Sequence, residues 1–331
     1  MEIRTPSYYN AFHCIASACP DSCCQGWEVE LDRDTAQRYL ALEGELGGEM
    51  RKIIHKENGH FSFINTQGHC PMWRADGLCR LQAQLGEEVL SHVCREFPRM
   101  VQDYGSFQEL GLELSCPEAA RLILSDKHWH WTASQVPGGE AGDYDPEAME
   151  ILRRTRPRIL EILADETLSV PQALAAALLY AYQVQSELDG AESSAFDPQS
   201  ALDSARRWVR PGDRQAILDF YAGLEILNPH WLRRLHQTQE GPWAPQLRLL
   251  AQYGVWRYYF QAVSDYDLAA RMKAVVLHCL VTHLLGGDPI ATAAAYSKEI
   301  ENDPENLDAI LDGGYSHPAL TDSALLGLLL E

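Results

Sequence analysis

Basic residues are scarce in this chain. Its 27 lysines and arginines stand against 47 aspartates and glutamates, a net charge of −20. Such a balance works against binding a nucleic-acid backbone or an anionic membrane face. No run approaches the roughly 20 consecutive apolar residues of a membrane-spanning helix. The opening MEIRTPSYYN has no apolar core of signal-peptide length. The expectation is a cytoplasmic chain with neither a membrane nor a nucleic-acid partner. Glycine-rich phosphate loops are missing as well. The pairs Gly47-Gly48, Gly138-Gly139 and Gly286-Gly287 stand alone, read as helix ends or loops, and do not form the loop of a doubly wound nucleotide fold.

Cysteine is nearly absent beyond residue 116. Eight of nine cysteines lie between Cys14 and Cys116; the ninth, Cys279, sits in the apolar helical run KAVVLHCLVTHLL and reads as an inert core thiol. No Cys-x-x-Cys pair occurs, so the knuckles of a zinc ribbon are lacking. Instead HCIASACPDSCCQGW carries Cys14, Cys19, Cys23 and Cys24. A second group follows: Cys70 and Cys79 flank the turn ADG, Cys94 lies on a helix, and Cys116 opens CPEAARL. In a reducing compartment such thiols are metal ligands more readily than disulfides. Four thiolates suit zinc and an iron–sulfur cluster alike, and the spacing does not choose. Adjacent cysteines rarely serve one small zinc ion together, whereas a larger cluster or two sites could use both.

Cys116 precedes Pro117, so a helix N-terminus is expected there, with the helix dipole lowering the thiol pKa. Arg74, Arg80, Arg95 and Arg99 surround the second group. They either offset the charge of a thiolate centre or are ordinary surface charges. His13, His69 and His92 stand beside or two residues from a cysteine, as further ligands or as solvated histidines.

The fold class expected is mainly α. Residues 1–130 read as an irregular cysteine-rich metal-binding domain, with short strands in GWEVELD and FSFIN and helices over DTAQRYLALEGEL, GEEVLSHVCREF and PEAARLILS. Residues 131–331 read as an all-helical domain. It opens on a linker-like stretch, ASQVPGGEAGDYDPEA, and continues through PQALAAALLYAYQVQSEL, RQAILDFYAGLEIL, PQLRLLAQYGVWRYYFQAV, LAARMKAVVLHCLVTHLLGG, DPIATAAAYSKEIE and TDSALLGLLL.

The stretch TPSYYNAFHCIASACPDSCCQGWEVELDRDTAQRYL closely resembles the N-terminus of the flagellin lysine N-methylase family. That family carries Tyr-Tyr, Phe-x-Cys, Cys-x3-Cys-Cys-x-Gly-Trp and Asp-x-x-Thr in this order. The likeness continues through CPMWRADGLCRLQAQLGEEVLSHVCREFPR and LELSCPEAARL, and more loosely through YGVWRYYFQA and YSKEIENDPENL. It implies transfer of a methyl group from S-adenosyl-L-methionine to lysines of flagellin. It also implies a [4Fe-4S] cluster held by some of Cys14, Cys19, Cys23, Cys24, Cys70, Cys79, Cys94 and Cys116. The same cysteine order is similar to zinc- or iron-chelating cysteine-cluster proteins. A structural or interaction module, or a redox protein without methyl transfer, therefore stands as the alternative.

Radical enzymes of this methyl donor carry Cys-x3-Cys-x2-Cys, and here Cys24 follows Cys23 directly, so that motif fails. Arg95, beside Cys94, is the candidate for holding the cofactor's carboxylate. A lysine must lose its proton before it attacks a methyl sulfonium. Glu96, Asp103, Tyr104, Trp27 and Trp73 are the acids and aromatics near the cysteines. Tyr258, Tyr259 and Tyr296 either line a cleft or belong to the core. No catalytic base is identified.

Overall fold

Six helices begin on one short signal, a capping side chain followed within two residues by proline: Asp145, Ser169, Asp197, Asn228, Asp288 and Asp303 each accept a bond from the first turn. The cap satisfies an otherwise unpaired N–H, and proline removes another while fixing φ for the helix. The computed structural model describes residues 1–25, 28–65, 68–237, 239 and 241–331. Its strands are β1 (Glu2–Pro6), β2 (Glu30–Leu31), β3 (Ile54–Glu57), β4 (His60–Phe63), β5 (Arg99–Asp103), β6 (Phe107–Leu112) and β7 (Trp131–Gln135). The first helices are α1 (Arg33–Leu40), α2 (Gly44–Ile53), α3 (Arg80–Leu85), α4 (His92–Glu96) and α5 (Pro117–Ser125). The body follows with α6 (Pro146–Ala164), α7 (Val170–Leu188), α8 (Pro198–Ala205), α9 (Arg214–Ala222) and α10 (Pro229–Leu235). It closes with α11 (Gln246–Tyr258), α12 (Leu268–Leu285), α13 (Pro289–Tyr296), α14 (Pro304–Ser316) and α15 (Asp322–Leu329). The fold is mainly helical, as the sequence predicts.

The early part holds more sheet than the sequence suggests. A four-stranded sheet runs in the order β5-β6-β1-β7, with β1 parallel to β6 and antiparallel to β7. The linker-like stretch that begins at Ala133 therefore starts as sheet, since Ala133, Ser134 and Gln135 pair with Arg4, Ile3 and Glu2. A second sheet, β2-β4-β3, covers the two strands expected in GWEVELD and FSFIN. Two expected helices break. DTAQRYLALEGEL divides into α1 and the start of α2, and GEEVLSHVCREF into a 3-10 turn at Glu87–Val89 and α4, where Ser91 caps the new start.

The four-stranded sheet shares its core with the helices. Tyr8, Phe107 and Leu112 pack in one cluster with Leu152, Leu174, Leu250 and Val276. Glu109 of β6 is fully buried and answered twice by Arg156 of α6, at 2.6 and 2.7 Å, and by Arg4 of β1 at 3.2 Å. This pairing lets a buried carboxylate stay satisfied while tying sheet to helix. α12 is mainly apolar, and 83% of it is buried inside the protein. The segment between β1 and β5 builds a separate small core from Val29, Leu31, Tyr39, Met50, Phe63, Met72 and Leu81.

Candidate metal centre and a buried polar site

Short-range backbone contacts gather the thiols. Cys70 N donates to Cys24 O at 2.8 Å, and isolated bridges pair Gln25 with His69 and Trp73 with Cys79. Ser91 caps α4 by accepting from Cys94 N at 3.4 Å. All nine cysteines are free thiols. Cys23 hydrogen-bonds with Cys24, and Cys24 with Cys70, while Cys70 also feels Cys94 and Cys79. Cys14, Cys19 and Cys116 form a second neighbourhood, which Cys23 adjoins through Cys19.

The thiols perturb one another. The bond to Cys24, then burial, pushes Cys23 far up. The bond from Cys23 lowers Cys24, but its bond to Cys70 and burial outweigh that and leave it at about 12. Cys70 is lowered by its bond with Cys24. Cys94 keeps surface open to solvent, yet the protein around it desolvates the thiol and lifts it to about 11. Cys116 caps α5 ahead of Pro117 as expected, but its thiol is not lowered. Burial raises it to about 11 against the pull of the Ala119 and Glu118 amides. The helix terminus is the weaker effect here because the thiol is largely removed from water.

The donor types suit a thiolate-held group: eight reduced cysteines supplied by four stretches of chain, around residues 14–24, 70–79, 94 and 116. Among the described residues, no three His, Cys, Asp or Glu side chains stand together at a metal ion's ligand spacing. His69 has a buried Nδ1 without a partner and stacks on Trp73 at 4.4 Å, and Trp73 Nε1 is likewise unpartnered. His13 and His92 are exposed. Lys298, only 13% exposed, reaches back from the far end of the chain to donate to Asp21 at 2.7 Å and to Ser22 O at 3.2 Å, beside Cys23.

A second polar site lies under Lys298. α13 ends in a π-helical turn, Ser297–Glu301, that turns Glu301 inward. Its side chain is 4% exposed; Oε1 accepts from Tyr258 OH at 2.7 Å and faces His278 Nδ1 at 3.7 Å. Burial works to raise the Glu301 pKa, but Arg257 and His278 hold it well below the ordinary carboxylate range. Glu301 Oε2 and His278 Nε2 have no partner. Both residues line a cavity of about 10 Å³ with Tyr258, Tyr296, Leu250 and Val275. Tyr296 stacks on His278 at 3.8 Å. Glu113, two residues before Ser115-Cys116, is raised by burial, lowered by Arg257 and raised by Glu301.

Over 131 residues, 38% of its length, the chain is 36% identical to the flagellar biosynthetic protein FliU of Salmonella muenchen, and the match spans 78% of that protein. It is equally similar, 36% over 131 residues, to proteins named lysine-N-methylase from Salmonella typhimurium and Salmonella choleraesuis. The chain belongs to the flagellin lysine N-methylase family. It spans only about a third of the two lysine-N-methylases, 33% of each. No family model and no solved structure matches the chain.

In this member of the flagellin lysine N-methylase family, the residues singled out by sequence divide sharply. Arg95 sits beside Cys94 on α4 with its side chain 42% exposed and paired with Glu96 at 3.3 Å. Arg74 and Arg80 are paired with Asp76 and Glu49, and Arg99 lies over the Phe12 ring. Asp103 is an exposed turn residue accepting from Gly105 N and Gln108. Tyr104 and Tyr259 are core, stacked on Phe107 and bonded to Thr155 respectively. Tyr258 and Tyr296 do line a cavity, with Glu301. Trp27 lies outside the described residues. Sequence reasoning missed Glu301, His278, Glu113 and Lys298. The available signal for Glu301 and Lys298 was YSKEIENDPENL, and for Glu113 LELSCPEAARL, both of which resemble the family; His278 lies in the apolar run KAVVLHCLVTHLL, which gives no such signal.

Proposed function

We propose that this protein is an S-adenosyl-L-methionine-dependent protein-lysine N-methyltransferase that acts on flagellin in the cytoplasm and carries a cysteine-held [4Fe-4S] cluster. The observation that carries the reading is the crowding of eight reduced cysteines into residues 14–116, in a chain whose relatives are named for lysine methylation. Cys24, Cys70, Cys79 and Cys94, with Cys23 against Cys24, are the residues that would hold the group; Cys14, Cys19 and Cys116 form the adjoining set. When bound, such a cluster supplies a Lewis-acidic iron able to anchor amino and carboxylate groups. Arg95 stands beside Cys94 as a further carboxylate partner. The acidic surface, −20 overall, draws a lysine-bearing protein toward the chain.

The test starts with protein purified without oxygen, its iron, sulfide and zinc measured and its visible spectrum taken before and after S-adenosyl-L-methionine. About four irons and four sulfides per chain, a spectral change with the methyl donor, and new methyl-lysines on flagellin by mass spectrometry are expected. Stoichiometric zinc without sulfide, and no methyl-lysine, would replace the reading with a structural zinc module.

A further inference from the structure

The loop that carries half of the clustered thiols has no cation of its own. Between Arg4 and Arg33 the chain holds no lysine or arginine, while Asp21 sits between Cys19 and Cys23. Thiolates formed there repel one another and are repelled by that carboxylate. The arginines around the second group do not answer this, since Arg74, Arg80 and Arg95 are engaged by Asp76, Glu49 and Glu96. The positive charge arrives instead from 277 residues downstream. Lys298 Nζ donates to Asp21 Oδ2 at 2.7 Å and to Ser22 O at 3.2 Å.

The turn that delivers Lys298 is fixed on the body side. A π-helical turn is rare and concentrates at functional positions. In this one, Ser297 and Ile300 are fully buried and Glu299 nearly so. Glu299 Oε2 accepts from Leu227 N and Asn228 N, each at 3.0 Å, and Glu301 accepts from Tyr258 OH at 2.7 Å. An exposed ion pair contributes little, because two free side chains must be ordered to make it. Here the backbone beneath the lysine is already held, and the Lys298 side chain is itself largely covered.

On the loop side the contact falls where it governs two thiols. Ser22 Oγ accepts from Cys24 N at 3.1 Å, and Ser22 O also accepts from Gln25 N at 3.2 Å. Holding Ser22 therefore sets the course of the backbone through Cys23 and Cys24. The Cys23 thiol, raised by its bond to Cys24 and by burial, is pulled back by Lys298.

We infer that Lys298 is a positioning residue for the thiolate centre: it fastens the loop Cys19–Cys24 to the helical body and cancels the charge of Asp21 beside the thiolates. The inference rests on the proposed thiolate-held group. Its two parts separate experimentally, because removing the lysine loosens the loop and also leaves a carboxylate uncompensated, whereas removing both charges only loosens the loop.

The full chain and its variants are purified without oxygen. Loss of bound metal to excess EDTA is followed by absorbance and metal analysis, and the midpoint potential is taken for an iron–sulfur form. Lys298→Met is expected to speed metal loss at least about tenfold, the size of one charge-assisted hydrogen bond, and to lower the potential. Lys298→Arg keeps the loss slow. Lys298→Met combined with Asp21→Asn keeps the loss fast but returns the potential toward that of the native chain. Should Lys298→Met fail to fold, Asp21→Ala, which removes the partner from the loop and leaves the turn intact, reads the same acceleration. Metal loss at the native rate in Lys298→Met, or fast loss in Lys298→Arg, overturns the inference and leaves the metal centre standing. A potential that stays low in the double variant overturns the charge-cancelling part. With zinc bound, the loss rates alone decide. A native chain that holds no metal removes the centre and the inference together.

Discussion

The segment between β1 and β5 and the body around α7 and α12 are held together by different means. The body buries long apolar faces: Leu174, Leu178, Val276 and Leu326 are fully enclosed, and α12 is covered on nearly every side. The segment has a small core, one three-stranded sheet of short strands and helices of 5 to 10 residues. Into that small core it brings Cys70, with Cys24 and Cys79 against it, and leaves them reduced. Helices this short are marginal without tertiary support. A body of this kind reaches stability through burial alone. The segment places thiols in its interior, and under the proposed cluster reading it gains rigidity when they bind metal.

The largest effect should come from taking that support away. Cys24→Ser with Cys70→Ser is expected to abolish metal retention and expose the chain between residues 13 and 97 to limited proteolysis, while fragments of the body stay resistant. Mass spectrometry of the fragments reads the outcome; uniform digestion of both regions would erase the contrast drawn above. Next, Glu109→Ala leaves Arg156 buried and unpaired inside the body. A loss of about 3–5 kcal/mol is expected in a denaturant melt, with metal content unchanged.

A smaller effect is set by pH. The Glu301 carboxyl is held below its unfolded value, so its stabilisation is present above that value and is withdrawn as pH falls through the range below about 4.3. Melts at pH 6 and pH 3.5 should therefore show a steeper loss in the native chain than in Glu301→Gln; parallel losses would contradict the buried ion pair. Smallest is Asp32→Ala. Asp32 caps α1 through Thr35 N at 2.9 Å and also accepts from His92 N at 3.0 Å, joining α1 to the start of α4. About 1 kcal/mol is expected, confined to the segment and visible as faster amide exchange in α1 and α4.

The same division governs what could be read from the sequence. Helical periodicity and Asp-Pro or Ser-x-Pro starts located α7, α11, α12 and α13 because those signals are local. α6 went unread: its charged, proline-bearing run RRTRPRIL hides a helix that carries Pro157 internally. β1 and its place beside β6 went unread because that pairing joins residues about 100 apart, as in Arg4 opposite Glu109, while the local β5–β6 hairpin, Arg99 opposite Leu112 to Asp103 opposite Gln108, was also missed. The cysteines were legible as a group, since they are reactive residues crowded in one stretch. The state of Cys116 was not, because burial, a tertiary property, reversed the effect of its helix terminus. Glu301 and His278 each look ordinary in sequence; only the π-helical turn brings them together.

One consequence follows from the place of β1 in its sheet. It lies between β6 and β7, so both of its edges wait for residues 107–135. At a synthesis rate of about 5–20 residues per second, β1 spends roughly 5–25 s without neighbours. Seven of the eight clustered cysteines emerge in that interval, before β6 can dock, and Cys116 follows directly after β6. The order of manufacture thus gives the thiols their opportunity to capture a ligand while the sheet is still open, and closing the sheet then fastens the two ends of the segment that carries them.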